Sequence, residues 1–146
     1  MLTRIINIKE AAIMVEKAKR FSRKREAIRS VLMSTMSHPT AEWIYSKLKP
    51  EIPDLSLATV YRNLGEMKQN NEIQSVAFWG GKERFDGNVE KHSHFVCENC
   101  GRIDDFHFVN HDTEIDSFAQ SHYDGIVNYH SLVFHGMCKE CLKKSQ

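Results

Sequence analysis

The stretch from Lys91 to Phe106, KHSHFVCENCGRIDDF, is dense in side chains that bind metal ions. It holds a His-x-His pair (His92 and His94), a Cys-x-x-Cys pair and two adjacent aspartates. Thiolate, imidazole and carboxylate groups are the side chains that bind transition metals in proteins. An ordinary hydrophobic core does not need this density, so we expect two neighbouring metal sites. One would consist of thiolates and the other of histidines and carboxylates.

The cysteines of the chain form two Cys-x-x-Cys pairs, Cys97 with Cys100 and Cys138 with Cys141. Two such turns supply four sulfurs, which complete a tetrahedral Zn²⁺ site and leave no position open for a reactant. No cysteine is left over and no secretory signal is visible, which disfavours a disulfide framework. We therefore predict structural Zn²⁺, with a redox pair or unligated cysteines as the alternatives.

The second set of ligands is expected to lie on neighbouring strands. His92 and His94 are two residues apart, and residues at that spacing point to the same face of a strand. A carboxylate from Asp104 or Asp105 would join them, and Asp86 and His38 are further candidates. Nitrogen and oxygen ligands of this kind suit Fe²⁺, Mn²⁺ or Zn²⁺.

Charge divides the chain into two halves, although the net charge of its 146 residues is only +1. Residues 1–86 carry 15 Lys/Arg and 10 Asp/Glu, a net of +5, while residues 87–146 carry 5 and 9, a net of −4. The basic half is the candidate for contacting polyanions. No apolar run is long enough to span a membrane and no export signal is visible, so we expect no membrane partner and a cytoplasmic location.

The first half predicts a winged helix. We expect helices over 8–20 and from an N-cap at Ser22, a third helix capped by Thr40, and a fourth capped by Ser56. Two strand-like runs over 72–86 follow, joined by Gly80-Gly81, which is typical of a hairpin turn. A helix entering the major groove beside such a hairpin is a DNA-binding arrangement.

The second half predicts a small α/β domain after a polar link. We expect strands over 94–97, 102–106 and 126–134, and a helix over 111–123. A three-stranded sheet leaves exposed edges, which pairing with a second copy would cover. The fold class is therefore α+β, with a winged-helix DNA-binding domain over 1–86, a hinge over 87–91, and a dimerisation and metal-binding domain over 92–146.

Taken together, these motifs resemble the ferric uptake regulator family of metal-dependent repressors, over nearly the whole chain. The motifs are His38-Pro39-Thr40-Ala41, Ala58-Thr59-Val60-Tyr61-Arg62-Asn63-Leu64, His92-Ser93-His94, Cys97-Glu98-Asn99-Cys100-Gly101 and Cys138-Lys139-Glu140-Cys141. The resemblance implies a homodimer that binds a palindromic operator in double-stranded DNA. It also implies a regulatory Fe²⁺ or Mn²⁺ held by His38, Asp86, His92, His94 and Asp105.

Two details resemble the peroxide-sensing (PerR) subgroup. Both carboxylate positions, Asp86 and Asp105, are aspartates, where iron-uptake regulators usually have glutamate. Lys91 and Ser93 stand where many iron regulators have the His and Asp of a further site. For this subgroup the resemblance implies that bound Fe²⁺ reduces hydrogen peroxide and that oxygen is added to His38 or His92, which releases the metal and the DNA. Mn²⁺ would fill the site without that chemistry.

The resemblance and the charge pattern also predict the DNA contacts. Arg62 and Asn63 are the base-reading candidates, although Arg62 could equally contact phosphate, and peroxide-sensing repressors commonly carry Asn at its position. The predicted phosphate contacts are Arg20, Arg23, Lys24, Arg25, Thr59 and Tyr61.

The sequence is compatible with two alternatives. A family member could report iron, manganese or zinc availability without peroxide chemistry. From another class, His92, His94 and Asp105 could form the two-His, one-carboxylate triad of a mononuclear iron enzyme. That reading leaves the winged helix unexplained, so we expect a regulator and not an enzyme.

Overall fold

The computed structural model describes residues 8–106 and 112–145, and the side chain of Arg20 lies outside its description. The first element is one helix, α1 (Ile8–Met33), where two helices were predicted with an N-cap at Ser22. That prediction is wrong because no glycine or proline interrupts the segment, so Ser22 lies inside a continuous helix. None of the helices in the described ranges is long and apolar enough to span a bilayer.

Two further helices begin at the predicted caps. α2 (Ala41–Leu48) starts after Thr40, whose hydroxyl accepts a hydrogen bond from the backbone N–H of Trp43 at 3.2 Å. α3 (Leu57–Gln69) starts after Ser56, which accepts from the N–H of Thr59 at 3.1 Å. Both caps satisfy amide groups that a helix cannot pair internally.

The apolar stripes of α1, α2 and α3 form one core that buries residues from all three helices. Its fully buried side chains include Ile28, Leu32, Ile44, Leu48, Val60, Leu64, Met67 and Phe85. Phe85 belongs to the hairpin that follows, so the hairpin is fastened to the helical core.

The hairpin consists of β1 (Gln74–Trp79) and β2 (Lys82–Asp86), paired antiparallel. Gly80 and Gly81 both have positive φ, at 57° and 76°, as the predicted turn requires. The register shifts between Ser75 and Ala77, and the intervening Val76 packs against the second sheet. The three helices and this hairpin are the predicted winged helix.

The second sheet has the strand order β4-β3-β5, built from β3 (Ser93–Cys97), β4 (Ile103–Phe106) and β5 (Val133–Gly136). β4 pairs antiparallel with β3, while β5 pairs parallel with it. α4 (Asp112–Ser121) follows β4, and a helix that the sequence analysis did not predict, α5 (Lys139–Lys144), follows β5. Residue 111, where the predicted helix 111–123 began, lies outside the described residues.

The predicted strand over 126–134 is wrong in length and position. Ile126 and Tyr129 are 81% and 72% exposed, and regular pairing begins only at Val133. Alternating apolar residues predict a strand, but a strand also needs a neighbour to pair with. In the described chain the ladder with β3 covers residues 133–136, and just before it the Leu132 carbonyl accepts a hydrogen bond from the His94 N–H at 3.2 Å. The α+β class and the order of the two domains are as predicted, whereas the exact domain boundaries stay a prediction.

Candidate metal centres and DNA-binding face

The four cysteines converge in one cluster, with their sulfur atoms all within 4.8 Å of one another. All four are free thiols. The Sγ atoms of Cys100 and Cys138 are 3.8 Å apart. A tetrahedron with Zn–S bonds of about 2.3 Å has edges of about 3.8 Å, so the cluster has the dimensions of a zinc site. Cys97, Cys138 and Cys141 are buried, as in a site closed to solvent.

Short turns bring the cysteines together. Cys97 ends β3, and Gly101, with φ 71°, closes the turn that carries Cys100 by donating its N–H to the Cys97 carbonyl at 2.9 Å. Cys138 stands at the start of α5, and Cys141 lies within that helix. Because β5 runs beside β3, its end places the second pair next to the first.

One thiol is prepared for metal binding. The backbone N–H of Cys138 donates to the sulfur of Cys97 at 3.3 Å. That bond, opposed by burial and reinforced by the N–H groups of Cys100 and Asn99, lowers the pKa of Cys97 to about 6. A hydrogen bond to sulfur stabilises the thiolate, which is the form that binds metal.

The second cluster brings together His38, Asp86, His92, His94 and Asp105, with one ligand atom of each within 4.8 Å of the others. The Nε2 atoms of His38, His92 and His94 lie 3.7, 2.9 and 3.2 Å from Oδ2 of Asp86. They lie 2.8, 3.3 and 3.6 Å from Oδ1 of Asp105. Ligand atoms bound about 2.1 Å from one ion at right angles are separated by about 3 Å, so the five side chains can share one ion.

The pairing of β3 with β4 selects the carboxylate. His94 is directly opposite Asp105, and Phe95 is opposite Asp104. Opposed residues of an antiparallel pair point to the same face, so Asp105 shares the face of His94. Asp104 points away and pairs with Arg102 at 2.7 Å. The choice that the sequence left open between the two aspartates is therefore made by strand register.

The N-terminal domain contributes His38 in an unusual backbone conformation. His38 has φ 50°, in the left-handed region that only a few per cent of non-glycine residues occupy. Such a conformation costs about 1–2 kcal/mol. It persists where surrounding contacts enforce it, and such residues concentrate at functional sites. Asp86, the last residue of β2, completes the N-terminal contribution.

The charges of this cluster oppose its burial. Burial disfavours the charged form of His38, but hydrogen bonds and charge from Asp86 and Asp105 outweigh it and raise the pKa of His38. Burial likewise disfavours the Asp86 carboxylate. Its hydrogen bonds with His38, His94 and the Asn88 N–H nevertheless hold the pKa of Asp86 far below its usual range. The two carboxylates therefore favour the protonated form of His38 when no metal is bound.

Two further observations fit a metal ion. Oδ1 of Asp105 is buried and makes no hydrogen bond of acceptable geometry within the described chain, although three imidazole nitrogens surround it. Nδ1 of His92 lies 2.7 Å from the Glu90 carbonyl, which favours a proton on Nδ1 and leaves Nε2 as the ligand atom. The buried oxygen and the oriented imidazole both suit a cation at the centre of the cluster.

Comparison with known proteins identifies the family. The ferric uptake regulator family matches residues 16–135. The chain belongs to that family. It is 40% identical over 122 residues to the peroxide-responsive repressor PerR of Staphylococcus epidermidis, covering 84% of this chain and 81% of that protein. Family members are transcriptional regulators, which excludes the iron-enzyme alternative.

Solved structures agree with the family assignment. The Campylobacter jejuni peroxide stress regulator matches with a TM-score of 0.75 and 26% identity, covering 90% of this chain and 98% of that chain. The Helicobacter pylori ferric uptake regulator, which is described as having three functional metal binding sites, matches with a TM-score of 0.71 and 25% identity over 90% of each chain. Both matches span the winged helix and the C-terminal sheet.

Lys91 and Ser93, at the positions that form a further metal site in many iron regulators, do not provide a pair of metal ligands. Among the described residues, the groups that could hold a metal form only the two clusters above. Nζ of Lys91 lies 3.7 Å from Oδ2 of Asp116, whose Oδ1 is 2.7 Å from Nδ1 of His130. Ser93 is buried in β3. The ammonium group of Lys91, and not a metal ligand, therefore faces the carboxylate of Asp116.

The predicted DNA-binding residues separate into two groups. Tyr61 and Arg62 are exposed on α3, Thr59 is half-buried at its first turn, and Arg23 is exposed on α1. Asn63 is fully buried and donates from Nδ2 to the Thr59 carbonyl at 2.8 Å. The prediction that Asn63 reads bases is wrong, because it lies on the core face of the helix.

Two basic residues of α1 are used inside the protein. Lys24 pairs with Asp54 at 2.7 Å. Arg25 pairs with Glu72 at 2.6 Å and with Glu66 at 3.4 Å. These ion pairs connect α1 to the loop before α3, to the last turns of α3 and to the segment that follows it. Their predicted role as phosphate contacts receives no support from the structure.

One residue beside both clusters was not predicted from the sequence. Arg84 on β2 contacts both the His38 loop and the first zinc turn. Nothing in its sequence context distinguishes it from other arginines of the basic half.

Proposed function

We propose that this protein is a metal-dependent transcriptional repressor that binds operator DNA as a homodimer and responds to hydrogen peroxide. The observation that carries the proposal is the composition of the second cluster. His38 and Asp86 belong to the winged helix, whereas His92, His94 and Asp105 belong to the C-terminal sheet. An ion bound by both parts favours the arrangement in which they are close, by its higher affinity for that arrangement.

Support for peroxide sensing comes from the carboxylates and from the relatives. Both carboxylate ligands are the short aspartates, Asp86 and Asp105, and the 40%-identical relative is a peroxide-responsive repressor. Lys91 and Ser93 occupy the positions of a further site in many iron regulators. The protein would therefore carry one structural Zn²⁺ and one regulatory Fe²⁺ or Mn²⁺.

The chemistry is a single oxidation that consumes the sensor. Fe²⁺ held by the five ligands would supply redox chemistry that activates hydrogen peroxide, and in the net reaction the two electrons that reduce the peroxide come from the imidazole ring. One oxygen atom of the peroxide replaces a ring C–H of His38 or His92 by C–OH, and the other leaves as water. The altered imidazole binds metal poorly, which removes the link between the domains and releases the DNA.

The surroundings of the cluster suit a small reactant. A cleft of about 110 Å³ reaches His38, Asp86 and Asp105, with Met33 and Met36 at its wall. A second cleft of about 530 Å³ borders His92 between the hinge and residues 128–132. Hydrogen peroxide has only two heavy atoms, so both clefts can admit it. The histidines themselves remain nearly inaccessible to larger oxidants, because their side chains are at most 5% exposed.

The exposed face of α3 would contact DNA. Arg62 is the base-reading candidate, with Thr59, Tyr61 and Arg23 as phosphate contacts. Two copies of this helix in a symmetric dimer would read the two halves of a palindrome. The tyrosine hydroxyl of Tyr61 donates to Glu42 at 3.2 Å, which orients its ring at the start of α2.

DNA binding is tested by selection from random duplexes in the presence of Mn²⁺. We expect an inverted repeat to be enriched and its gel shift to require the metal. His38→Ala should abolish the shift, whereas His122→Ala, which removes an exposed histidine outside both clusters, should retain it. Metal-independent binding, or equal loss in both variants, would contradict the proposed role of the cluster.

Peroxide sensing is tested by mass spectrometry of Fe²⁺-loaded protein after one equivalent of hydrogen peroxide. The tryptic peptide 92–102 contains His92 but no methionine, so an added oxygen there cannot be methionine sulfoxide. Alkylation of both of its cysteines excludes cysteine oxidation as the source of the oxygen. The peptide 30–47 contains Met33, Met36 and His38, and fragment ions must place the oxygen. Mn²⁺-loaded protein is the control.

The second candidate function is a sensor of metal availability. Absence of added oxygen on both histidines, combined with retained metal-dependent DNA binding, would favour that function over peroxide sensing.

A further inference from the structure

The guanidinium group of Arg84 donates hydrogen bonds from each of its three nitrogens to backbone carbonyls. Nη2 donates to the Ser37 carbonyl at 2.7 Å, Nη1 donates to the Gly101 carbonyl at 2.9 Å, and Nε donates to the His38 carbonyl. Within the described chain no carboxylate lies at ion-pair distance from Arg84. The planar guanidinium presents donors in a rigid fork, so it can hold three acceptors in one arrangement.

The three carbonyls belong to both proposed metal sites. Ser37 and His38 form the strained turn that carries a ligand of the regulatory cluster. Gly101 directly follows Cys100 and donates its N–H to the Cys97 carbonyl, so it closes the turn that carries the first cysteine pair. The Arg84 side chain is therefore a hydrogen-bonded connection between the zinc turn and the loop of His38.

Packing keeps this connection in place. The indole of Trp79, at the end of β1, covers Gly101 so closely that an added Cβ would lie 2.1 Å from Nε1. Val76 and Trp79 of the hairpin pack with Val96 and Ile103 of the C-terminal sheet. The backbone of β2 also binds the same loop, because the N–H of Phe85 donates to the Pro39 carbonyl at 3.1 Å.

We propose that Arg84 is a positioning residue that uses the zinc turn as an anchor to hold His38 in its ligating conformation. Zinc bound by the four cysteines would hold the turn that contains the Gly101 carbonyl, and this carbonyl accepts from Nη1 of Arg84. Nε and Nη2 of the same guanidinium hold the carbonyls of His38 and Ser37. The affinity of the second cluster for its regulatory metal thus depends on the zinc turn through the Arg84 side chain. This inference rests on the proposed regulatory metal site.

Charge and position predict opposite effects of removing Arg84. A positive guanidinium repels a cation bound nearby, so its loss by charge alone would tighten Mn²⁺ binding. Loss of the hydrogen bonds would release the left-handed turn at His38 and weaken Mn²⁺ binding. The sign of the change therefore distinguishes the two roles.

The experiment measures Mn²⁺ affinity of the zinc-containing protein by the electron paramagnetic resonance signal of free Mn²⁺. The variants are Arg84→Gln and Arg84→Lys, and the second keeps the charge but not the fork. Lys82→Gln, on the same strand, is the charge-matched control, because Nζ of Lys82 lies 3.4 Å from Oε1 of Glu42 and neither residue belongs to a metal cluster. Zinc content is measured in every sample.

We expect both Arg84 variants to retain zinc and to bind Mn²⁺ about tenfold or more weakly, with Lys82→Gln unchanged. In a His38→Ala background, Arg84→Gln should cause no further loss, since the ligand that it positions is gone. Unchanged or tighter binding in both variants would overturn the inference, as would an equal loss in the His38→Ala background.

The remaining outcomes are also decisive. If Arg84→Gln fails to fold, Arg84→Lys provides the comparison. If both variants lose zinc or fail to fold, Arg84 supports the fold in general and the positioning role is wrong. Failure of the unaltered protein to bind Mn²⁺ at His38, Asp86 and the three C-terminal ligands would instead overturn the proposed function.

Discussion

Nε2 of His38 lies 2.8 Å from Oδ1 of Asp105. The histidine stands in the loop before α2 and the aspartate in β4, so this contact joins the winged helix to the C-terminal sheet. Without a metal, the attraction is between the carboxylate and a protonated imidazole, and with a metal in the proposed site both atoms would become ligands of the same ion. The same pair of atoms can therefore hold the domains together in two chemically distinct ways.

The first prediction concerns pH. Asp86 and Asp105 raise the pKa of His38 above its ordinary value of about 6.5 despite the opposing effect of burial. The folded state then keeps a proton that the unfolded state releases. This contribution to stability is present below about pH 6.5 and is lost as pH rises through the folded pKa. Zinc-containing protein without regulatory metal should become less stable in urea unfolding as the pH rises above about 6.5.

Two comparisons control that measurement. Asp86→Asn removes a partner that raises the pKa of His38, so its stability should depend less on pH in this range. With saturating Mn²⁺, stability should instead increase as the pH rises, because the metal binds deprotonated imidazole and its affinity increases with pH. A pH-independent stability of the unaltered protein would contradict the proton-bound state of His38.

The second prediction concerns zinc. Replacing Cys97, Cys100, Cys138 or Cys141 by serine should remove the bound Zn²⁺ in each case, because all four sulfurs belong to one cluster. Loss of a structural zinc costs several kcal/mol, so the melting temperature should fall by more than about 10 °C. Zinc stoichiometry and thermal unfolding by circular dichroism are the measurements. A serine variant that keeps full zinc would show that its cysteine is not a ligand.

The third prediction concerns two glycines. Gly101→Ala should destabilise the protein, since φ is 71° and the new Cβ would meet the Trp79 ring at 2.1 Å. Gly65→Ala is the matched control, because nothing lies within 4 Å of its Cβ position inside α3. Alanine should stabilise that helix by up to about 1 kcal/mol. Urea unfolding of both variants measures the contrast, and equal effects would contradict the close packing at Gly101.

The fourth prediction separates two neighbours on α3. Arg62→Ala should weaken operator binding by about 1–3 kcal/mol with little change in stability, because the side chain is exposed on the proposed DNA-binding face. Asn63→Ala should instead lower stability by about 1–3 kcal/mol through loss of a buried hydrogen bond. Gel shifts and urea unfolding of both variants provide the test. Selective loss of DNA affinity in a fully stable Asn63→Ala protein would show that its burial has been misjudged.

Local signals predicted much of the fold. Thr40 and Ser56 cap α2 and α3, and the Gly80-Gly81 turn joins the hairpin, because caps and turns depend on residues a few positions apart. Ligand types and spacings predicted the thiolate cluster and the pairing of His92 and His94 with an aspartate, and the family resemblance supplied the full second set with His38, Asp86 and Asp105. Failures occurred where a local pattern was insufficient: Ser22 lies inside α1, and the final strand is limited by the partner that it can reach.

The sequence by itself determined the chemistry of this protein: four thiols for one tetrahedral site, and histidines with short carboxylates for another. Tertiary structure decided which side chains reach the metal clusters, the core or the DNA-binding face. Strand register chose Asp105 over Asp104, helix packing turned Asn63 into the core, and the approach of two domains made Arg84 a link between the sites. The physical reason is that donor chemistry belongs to a residue, whereas orientation, burial and distance arise only when distant segments pack together.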